Sequence, residues 1–411
     1  MMEYGIDPDI SKMQEDYLKS ILDYATENVP FYKRFRTFDS LISFPVIDKS
    51  LIRNNYEAFQ SPEYLEANVT KMHTGGSTGM VIVVRQDKNK RNRVNAEMIY
   101  FWGKAGYQIG MRYVFFRIWT ALHRKSKLAA WARNMLAMDI QKLDDQNLEK
   151  MRNAIKADRK IKMLLGYPNT LEVLTNYLLA CGDIPEMFAI NTIIAIGEAL
   201  PEFTREKLKK VFNGNVVSLY SNQENGMLAQ ECAENKEFHV NSASYHIELL
   251  KIDSDEPVSV GEPGRIVVTD FFNHAMPLIR YDTGDIGVWK REAECGWNSL
   301  VFSSIQGRMV DSIFDTSGNR VSPHTVGMLM LPFDKLLQYQ FIQENARQYT
   351  LKLNGAQGYY EEAAFVAVFK EFLGPDAEIR IEHVHEIPVL ASGKRKKVVS
   401  HYVREKPGSP P

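Results

Sequence analysis

Cysteine is scarce: Cys181, Cys232 and Cys295 are the three in 411 residues. An odd, sparse set excludes the disulfide framework that staples small secreted domains. Excess charge of one sign is lacking too. Lys and Arg total 50 against 51 Asp and Glu. That balance argues against a dedicated binder of nucleic acid or anionic membrane, while leaving room for a local basic pocket. No apolar run approaches the ~18 residues that read as a membrane span. The first ten residues are acidic and polar, so no secretory signal is expected and the expected compartment is the cytoplasm. Internal repeats are also missing. What is present is ordinary globular composition, 45% apolar and 25% charged, in a chain long enough for two or three domains.

The chain opens on a helical pattern over 11–36, with Leu18, Ile21, Leu22 and Tyr24 at near-helical spacing and Asn28-Val29-Pro30 ending it. A loop with Phe44-Pro45-Val46 leads to a second, polar helix near 48–60. An extended run ends at His73, Thr74-Gly75-Gly76-Ser77-Thr78-Gly79 interrupts it, and Val81-Ile82-Val83-Val84 resumes it. The glycine loop thus joins two extended segments.

The middle alternates strands and helices. Strands over 161–165, 191–196 and 216–220 are closed by Gly166-Tyr167-Pro168, by Gly197-Glu198 and by Ser221-Asn222-Gln223-Glu224, with helices near 169–181 and 201–212 between them. Such alternation implies parallel β-α-β units. Ligands sit beyond the carboxyl ends of such strands, so the three turns are expected along one rim. Short strands follow over 237–304, as at 245–252 and 264–269, and from about 307 a differently patterned segment reads as a small α+β domain.

Five short stretches carry chemistry. In Thr74–Gly79, glycines let backbone N–H groups turn toward an anion and hydroxyls add donors. It lacks the Gly-Lys-Ser/Thr close of a Walker loop, and a plain glycine-rich hairpin turn is the alternative. In Tyr220–Glu224, a carboxylate is placed to hold Mg²⁺ and an aromatic ring to stack on a base. In Arg280-Tyr281-Asp282-Thr283-Gly284-Asp285, Asp285 suits the ribose hydroxyls of a nucleotide. Arg308, after Gly307, suits phosphate or ribose oxygens. Lys394, in Ser392-Gly393-Lys394, suits charge developing on a carboxylate and an α-phosphate, although the basic run 394–397 also reads as a solvated face.

In order and spacing these stretches resemble the adenylate-forming superfamily. Thr74–Gly79 looks like its phosphate loop, Tyr220–Glu224 like its aromatic-Gly-x-Thr-Glu motif, Tyr281–Asp285 like its Tyr-x-Thr-Gly-Asp motif, Gly307-Arg308 with Gly318 like its domain linker, and Ser392–Lys394 like its C-terminal Ser-Gly-Lys. Tyr24-Ala25-x3-Val29-Pro30-Phe31-Tyr32, Phe44-Pro45-Val46-x-Asp48-Lys49 and Pro277–Tyr281 resemble the phenylacetate–CoA ligase branch and related capsule-locus proteins. The sequence departs from that pattern in three places. Met80-Val81 follow the phosphate loop, Ser221-Asn222-Gln223 replace Gly-x-Thr, and Val310 stands at the usual linker Asp or Lys.

The resemblance implies an α/β protein with a large, multi-layer N-terminal adenylation domain over 1–306 and a small C-terminal α+β lid domain over 307–411. It implies catalytic roles for Glu224 and Lys394. ATP would be bound by Thr74, Gly75, Gly76, Ser77, Thr78, Gly79, Gly197, Glu198, Tyr220, Ser221, Asn222, Gln223, Asp285 and Arg308, with Mg²⁺ on Glu224. The expected partners are a small carboxylic acid, ATP and a thiol such as CoA. An amine or sugar acceptor and a non-catalytic nucleotide-binding protein are alternatives, and a homodimer is left open. Some relatives hold a structural zinc with Cys, His and a Cys-x-Cys pair. Here Cys232, His239 and Cys295 stand at three of those positions and Ala293 at the fourth, so zinc completed by Glu294 or water competes with unligated residues. Phe115, Phe116, Trp119, Tyr167 and Asn222 are candidate walls of the acid pocket or members of the core.

Overall fold

The computed structural model describes residues 8–73, 82–119, 127–197, 199–252, 254–297, 299–306, 313–321, 323–330, 332–333, 336, 338–355, 361–385, 387 and 398–402. Contacts divide the chain into two compact units. One is assembled from residues 1–74, 82–109 and 215–308, the other from 75–81, 110–214 and 309–411. The sequence suggested one division, at 306/307; contacts divide the chain at 109/110, 214/215 and 308/309.

In the first unit the opening helix is Pro8–Asn28, and Pro30–Phe35 continues as a 3₁₀ helix. Asn28-Val29-Pro30 ends the helix as expected: Val29 takes extended geometry (φ −100°, ψ 121°) because the residue before proline avoids the helical region. The second expected helix shrinks to Lys49–Asn54, N-capped by Asp48. Asn55 leaves helical geometry and Tyr56–Phe59 forms a separate 3₁₀ turn, in keeping with the tendency of asparagine to leave helices. Leu22, Val29, Phe31, Tyr32, Phe44, Ile47, Ile52, Phe59, Leu278, Ile279 and Tyr281 share one buried core. The three stretches that carry the branch resemblance thus meet around one apolar centre. Strands Thr70–His73 and Val83–Gln86 pair antiparallel, as two extended segments joined by a loop should.

The rest of this unit is an antiparallel meander. In space the strands run Tyr245–Leu250, Pro263–Asp270, Tyr281–Lys290, Val301–Gln306, Phe238–Val240, Gly226–Glu231 and Asn215–Asn222. Along Tyr281–Lys290 burial alternates strictly, so that one face enters the core and every second residue leaves it. The segment Asn215–Asn222 pairs antiparallel with the strand that follows it, Gly226–Glu231, a pairing the sequence reading did not include. The reason is its short turn: three residues suffice for a hairpin, whereas a parallel crossover needs a dozen or more.

In the second unit, strands Thr192–Ile196, Ile161–Gly166, Arg112–Arg117 and Met135–Asp139 lie side by side in parallel. Helices Asp145–Ala157, Pro168–Ala180 and Glu202–Phe212 connect or follow them. Met163, Leu164 and Leu165 are buried in succession, the continuous apolar reading of a strand covered on both faces. Residues of 313–401 carry a separate four-stranded sheet, ordered Glu378–His383, Gln348–Asn354, Gln338–Gln343 and Val398–Ser400. Helix Glu362–Leu373 supplies Phe365 and Phe369 to its core with Phe341 and Leu351. The mixed α/β class expected from the sequence is the class observed. No described helix is long and apolar enough to cross a membrane.

Candidate functional site

Two of the motif stretches are stitched to each other inside the first unit. The Tyr220 hydroxyl donates to Asp285 Oδ2 at 2.9 Å, and the Tyr281 hydroxyl donates to Glu224 Oε1 at 2.8 Å. Each stretch therefore lends its tyrosine to the other's carboxylate. Asp285 and Tyr281 belong to one strand, four residues apart, so an even spacing puts both on the buried face. Tyr220 lies near the end of the strand Asn215–Asn222, and Glu224 sits in the hairpin turn just beyond it.

The turn is held from several sides. Asn222 Oδ1 accepts the Asn225 N–H at 2.7 Å, closing a local side-chain turn. Gln86 Nε2 donates to the Glu224 carbonyl at 3.0 Å, and the Tyr245 hydroxyl to the Asn225 carbonyl at 2.7 Å. Gly226 ends the turn at φ +116°, where an added Cβ would meet Val94 Cγ2 at 2.9 Å. Both the torsion and the close approach require glycine there.

Glu224 is buried, and its Oε1 also meets Lys49 Nζ at 2.8 Å. Burial pushes this carboxyl up. The Lys49 charge and hydrogen bond, a backbone N–H and the Tyr281 hydroxyl outweigh it and hold the group below its usual range. Lys49 arrives there because its segment is fastened to the strand that bears Tyr281. Ile47 N donates to the Arg280 carbonyl at 2.9 Å and Asp282 N to the Ile47 carbonyl at 2.8 Å. Arg280 itself takes a left-handed φ of +53°. That conformation is strained for a side chain with a Cβ. A pair to Glu248 at 3.0 Å and a bond to the Phe44 carbonyl at 2.9 Å hold it.

This arrangement bears on the expected magnesium. A divalent ion on Glu224 would join a carboxylate whose Oε1 already meets Tyr281 and Lys49. It would also face the Lys49 ammonium, a repulsion of roughly 8 kcal/mol at 4 Å and an effective dielectric of 20. With Lys49 in place, Glu224 does not fit the role of a magnesium ligand.

Lys49 was not among the residues expected to act. It lay in the Phe44–Lys49 stretch, noted only for its branch resemblance, and its one signal was a lysine amid residues that otherwise enter a core. Gly197 is placed at the end of strand Thr192–Ile196 with φ +80°, in the second unit. Thr74, Gly75, Gly76, Ser77, Thr78, Gly79, Glu198, Arg308 and Lys394 lie outside the described residues. Ser221 and Gln223 adjoin the turn, and the Gln223 carbonyl accepts from Gln86 at 3.4 Å. Of the candidate pocket walls, Phe116 is fully buried core. Trp119 is bound to strand Met135–Asp139 through Nε1 and the Met138 carbonyl at 3.2 Å.

A second polar cluster lies elsewhere in the first unit. One ligand atom each of Cys232, Glu237, His239 and Cys295 falls within 4.8 Å of the others. Cys295 Sγ is 3.1 Å from His239 Nε2, and His239 Nδ1 is 2.8 Å from Ser299 Oγ. Trp297 stacks on the imidazole, centroids 4.2 Å apart. Burial lowers the histidine to about 4, so at neutral pH it offers a lone pair. Two sulfurs, a neutral imidazole and a carboxylate are a donor set that suits zinc, whose tetrahedral ligands sit roughly 3.6 Å apart. Glu237 takes the fourth place, not Glu294 or Ala293. Lys290 pairs with both Glu237 and Glu294, and the Glu294 N–H donates to Glu237 Oε2 at 3.0 Å. The sequence reading missed Glu237, although its spacing of two from His239 puts both on one strand-like face.

Known proteins match this arrangement. The structure superposes on 2-hydroxyisobutyryl-CoA ligase, solved with its acyl-AMP and CoA in the thioesterification state, with a TM-score of 0.64 at 15% identity over 97% of this chain and 91% of that one. The same ligase in the postadenylation state gives 0.60 at 13% over 97% and 91%. The fold is therefore that of the adenylate-forming ligases. Within that class the sequence relatives are specific to one branch. Phenylacetate-coenzyme A ligase of Thermus thermophilus is 25% identical over 94% of this chain and 88% of its own. Protein CapK of Staphylococcus aureus is 23% identical over 96% and 90%. Residues 313–401 match the family of the CapK C-terminal domain. Over nearly its whole length the chain is thus similar to proteins of the phenylacetate–CoA ligase and CapK-like branch.

Proposed function

We propose that this protein activates a small carboxylic acid with ATP as an acyl-adenylate and passes the acyl group to a thiol such as CoA. The observation that carries this reading is the double stitch of Tyr220 to Asp285 and Tyr281 to Glu224. Two distant stretches, each suited to a nucleotide, are joined at one buried place. In this reading the segment 1–306 takes ATP and acid, and 307–411 brings Lys394. The substrate carboxylate attacks the α-phosphorus, the bond to the β-phosphate oxygen breaks, and pyrophosphate leaves. Asp285 holds the ribose hydroxyls, which do not react. Lys394 neutralises charge shared by the carboxylate and the α-phosphate. The thiol then attacks the acyl carbon, forming a thioester and releasing AMP and a proton. Positioning and charge stabilisation supply most of the rate.

An amine or sugar acceptor is a second reading, favoured by the CapK C-terminal match over 313–401. We also assign the Cys232, Glu237, His239, Cys295 cluster a structural zinc, which braces the strands that carry it. Pyrophosphate release across a panel of aryl and aliphatic acids tests the first step. AMP release dependent on CoA, set against release dependent on an amine, separates the acceptors. No acid-dependent pyrophosphate with any panel member would overturn the adenylation reading.

A further inference from the structure

Glu224 is the acidic residue that the family resemblance assigns to a metal, yet the structure gives it an ammonium. Lys49 Nζ is 2.8 Å from Glu224 Oε1, with the two side chains 10% and 5% exposed. Such burial is unusual for lysine, which is almost never fully buried unless paired. An ammonium has three donors, and among the described residues Lys49 spends one on Glu224. Beside the pair, Asn222 Nδ2 and both polar atoms of the Asn225 side chain are buried without a partner. Buried polar atoms are nearly always satisfied. Spare N–H donors around a fixed positive charge are complementary to an anion with many acceptor oxygens. A nucleotide's phosphate chain is such an anion.

We propose, on the nucleotide reading above, that Lys49 is the cation this site presents to the phosphate chain of ATP, with Glu224 acting as its positioning residue in place of a magnesium ligand. Glu224 fixes the ammonium, Tyr281 fixes Glu224, and the tie of Ile47 to Arg280 fixes the backbone. Phosphate oxygens accept the remaining lysine protons. AMP, which lacks the β- and γ-phosphates, loses most of that contact.

The test is equilibrium calorimetry of ATP, AMP and inorganic pyrophosphate binding, each in EDTA and in Mg²⁺. It uses wild-type protein, Glu224→Gln, and the double variant Lys49→Met with Glu224→Gln, which leaves no buried charge unpaired and so protects folding. The double variant should weaken ATP and pyrophosphate at least about tenfold, the weight of one charge-assisted hydrogen bond, and leave AMP within about twofold. Glu224→Gln should leave the Mg²⁺ concentration for half-maximal ATP binding unchanged. A double variant that binds ATP as wild type does would overturn this assignment alone, as would a shifted Mg²⁺ requirement in Glu224→Gln. Wild-type protein that binds neither ATP nor AMP would overturn the nucleotide reading and this assignment with it.

Discussion

The first unit holds two buried polar clusters that look alike in composition and differ in charge. Around Glu224 the chain supplies its own cation, Lys49, and a hydroxyl from Tyr281. Around Cys295 it gathers two sulfurs, an imidazole kept neutral and a carboxylate, and the one cation that touches them, Lys290, is bound to Glu237 at the edge. The difference teaches that a count of donor atoms does not identify a metal site. What matters is the charge the protein leaves unmatched. Glu224 carries the whole negative charge of its cluster and an ammonium meets it, whereas Lys290 meets only the Glu237 member of the other, and two cysteines deprotonated there to bind a metal would be costly to bury until an ion joined them.

The comparison breaks first if metal content contradicts it. Purified protein should carry about one zinc per chain, and Cys295→Ser should carry close to none, because structural sites need all four ligands. Elemental analysis reads this directly, and equal zinc in both would remove the cluster from consideration. The next largest effect concerns the built-in cation. Lys49→Met alone should destabilise the protein by about 3–5 kcal/mol, since it strands Glu224 in the interior. Adding Glu224→Gln should recover most of that in urea denaturation. A mild single variant would mean that water reaches the carboxylate freely.

A smaller effect separates nucleotide contact from internal bracing. Asp285→Ala should raise the apparent KM for ATP by roughly 2–4 kcal/mol in ΔΔG, as hydrogen bonds to a charged group are lost, and change that for the acid far less. Tyr220→Phe removes the hydroxyl's internal bonds to Asp285 at 2.9 Å and Thr283 at 3.2 Å and should cost about 1 kcal/mol. Matching losses in the two variants would show that Asp285 serves Tyr220 rather than ribose.

The smallest effect is the pH response of Glu224. Its carboxyl is held below the usual range in the folded state. Its contribution is therefore complete above the unfolded value of about 4.3 and fades as pH falls through the lower folded value. The stability gap between wild type and Glu224→Gln should stay flat from neutral pH to about 5, then close under acid. A gap that widens with acid would reverse the sign of the Lys49 interaction.

Local chemistry was legible wherever it depended on neighbours in the chain. The alternation of buried and exposed residues over 281–290, the helix Glu202–Phe212 and the extended runs on either side of 74–79 follow from patterns of period 2 or 3.6. The endings were harder. The stop at Asn28-Val29-Pro30 was read correctly, but the second helix ends at Asn54 rather than near 60, because the force of asparagine is local and its outcome depends on packing. The antiparallel pairing of Asn215–Asn222 was missed because it depends on the length of a turn, not on the strand's own residues.

By itself, the sequence determined the α/β class, the similarity to one branch of a superfamily and the choice of Tyr220, Glu224, Tyr281, Asp285, Cys232, His239 and Cys295 as candidate residues. Each of those signals is carried by residue type and short spacing. Tertiary structure alone decided which carboxylate each tyrosine serves, that Lys49 meets Glu224 across 175 positions of chain, and that Glu237 joins the cysteines. The physical reason is that partners in a buried polar group are chosen by which atoms the packed core brings within about 3 Å. Spacing along the chain carries no record of that choice.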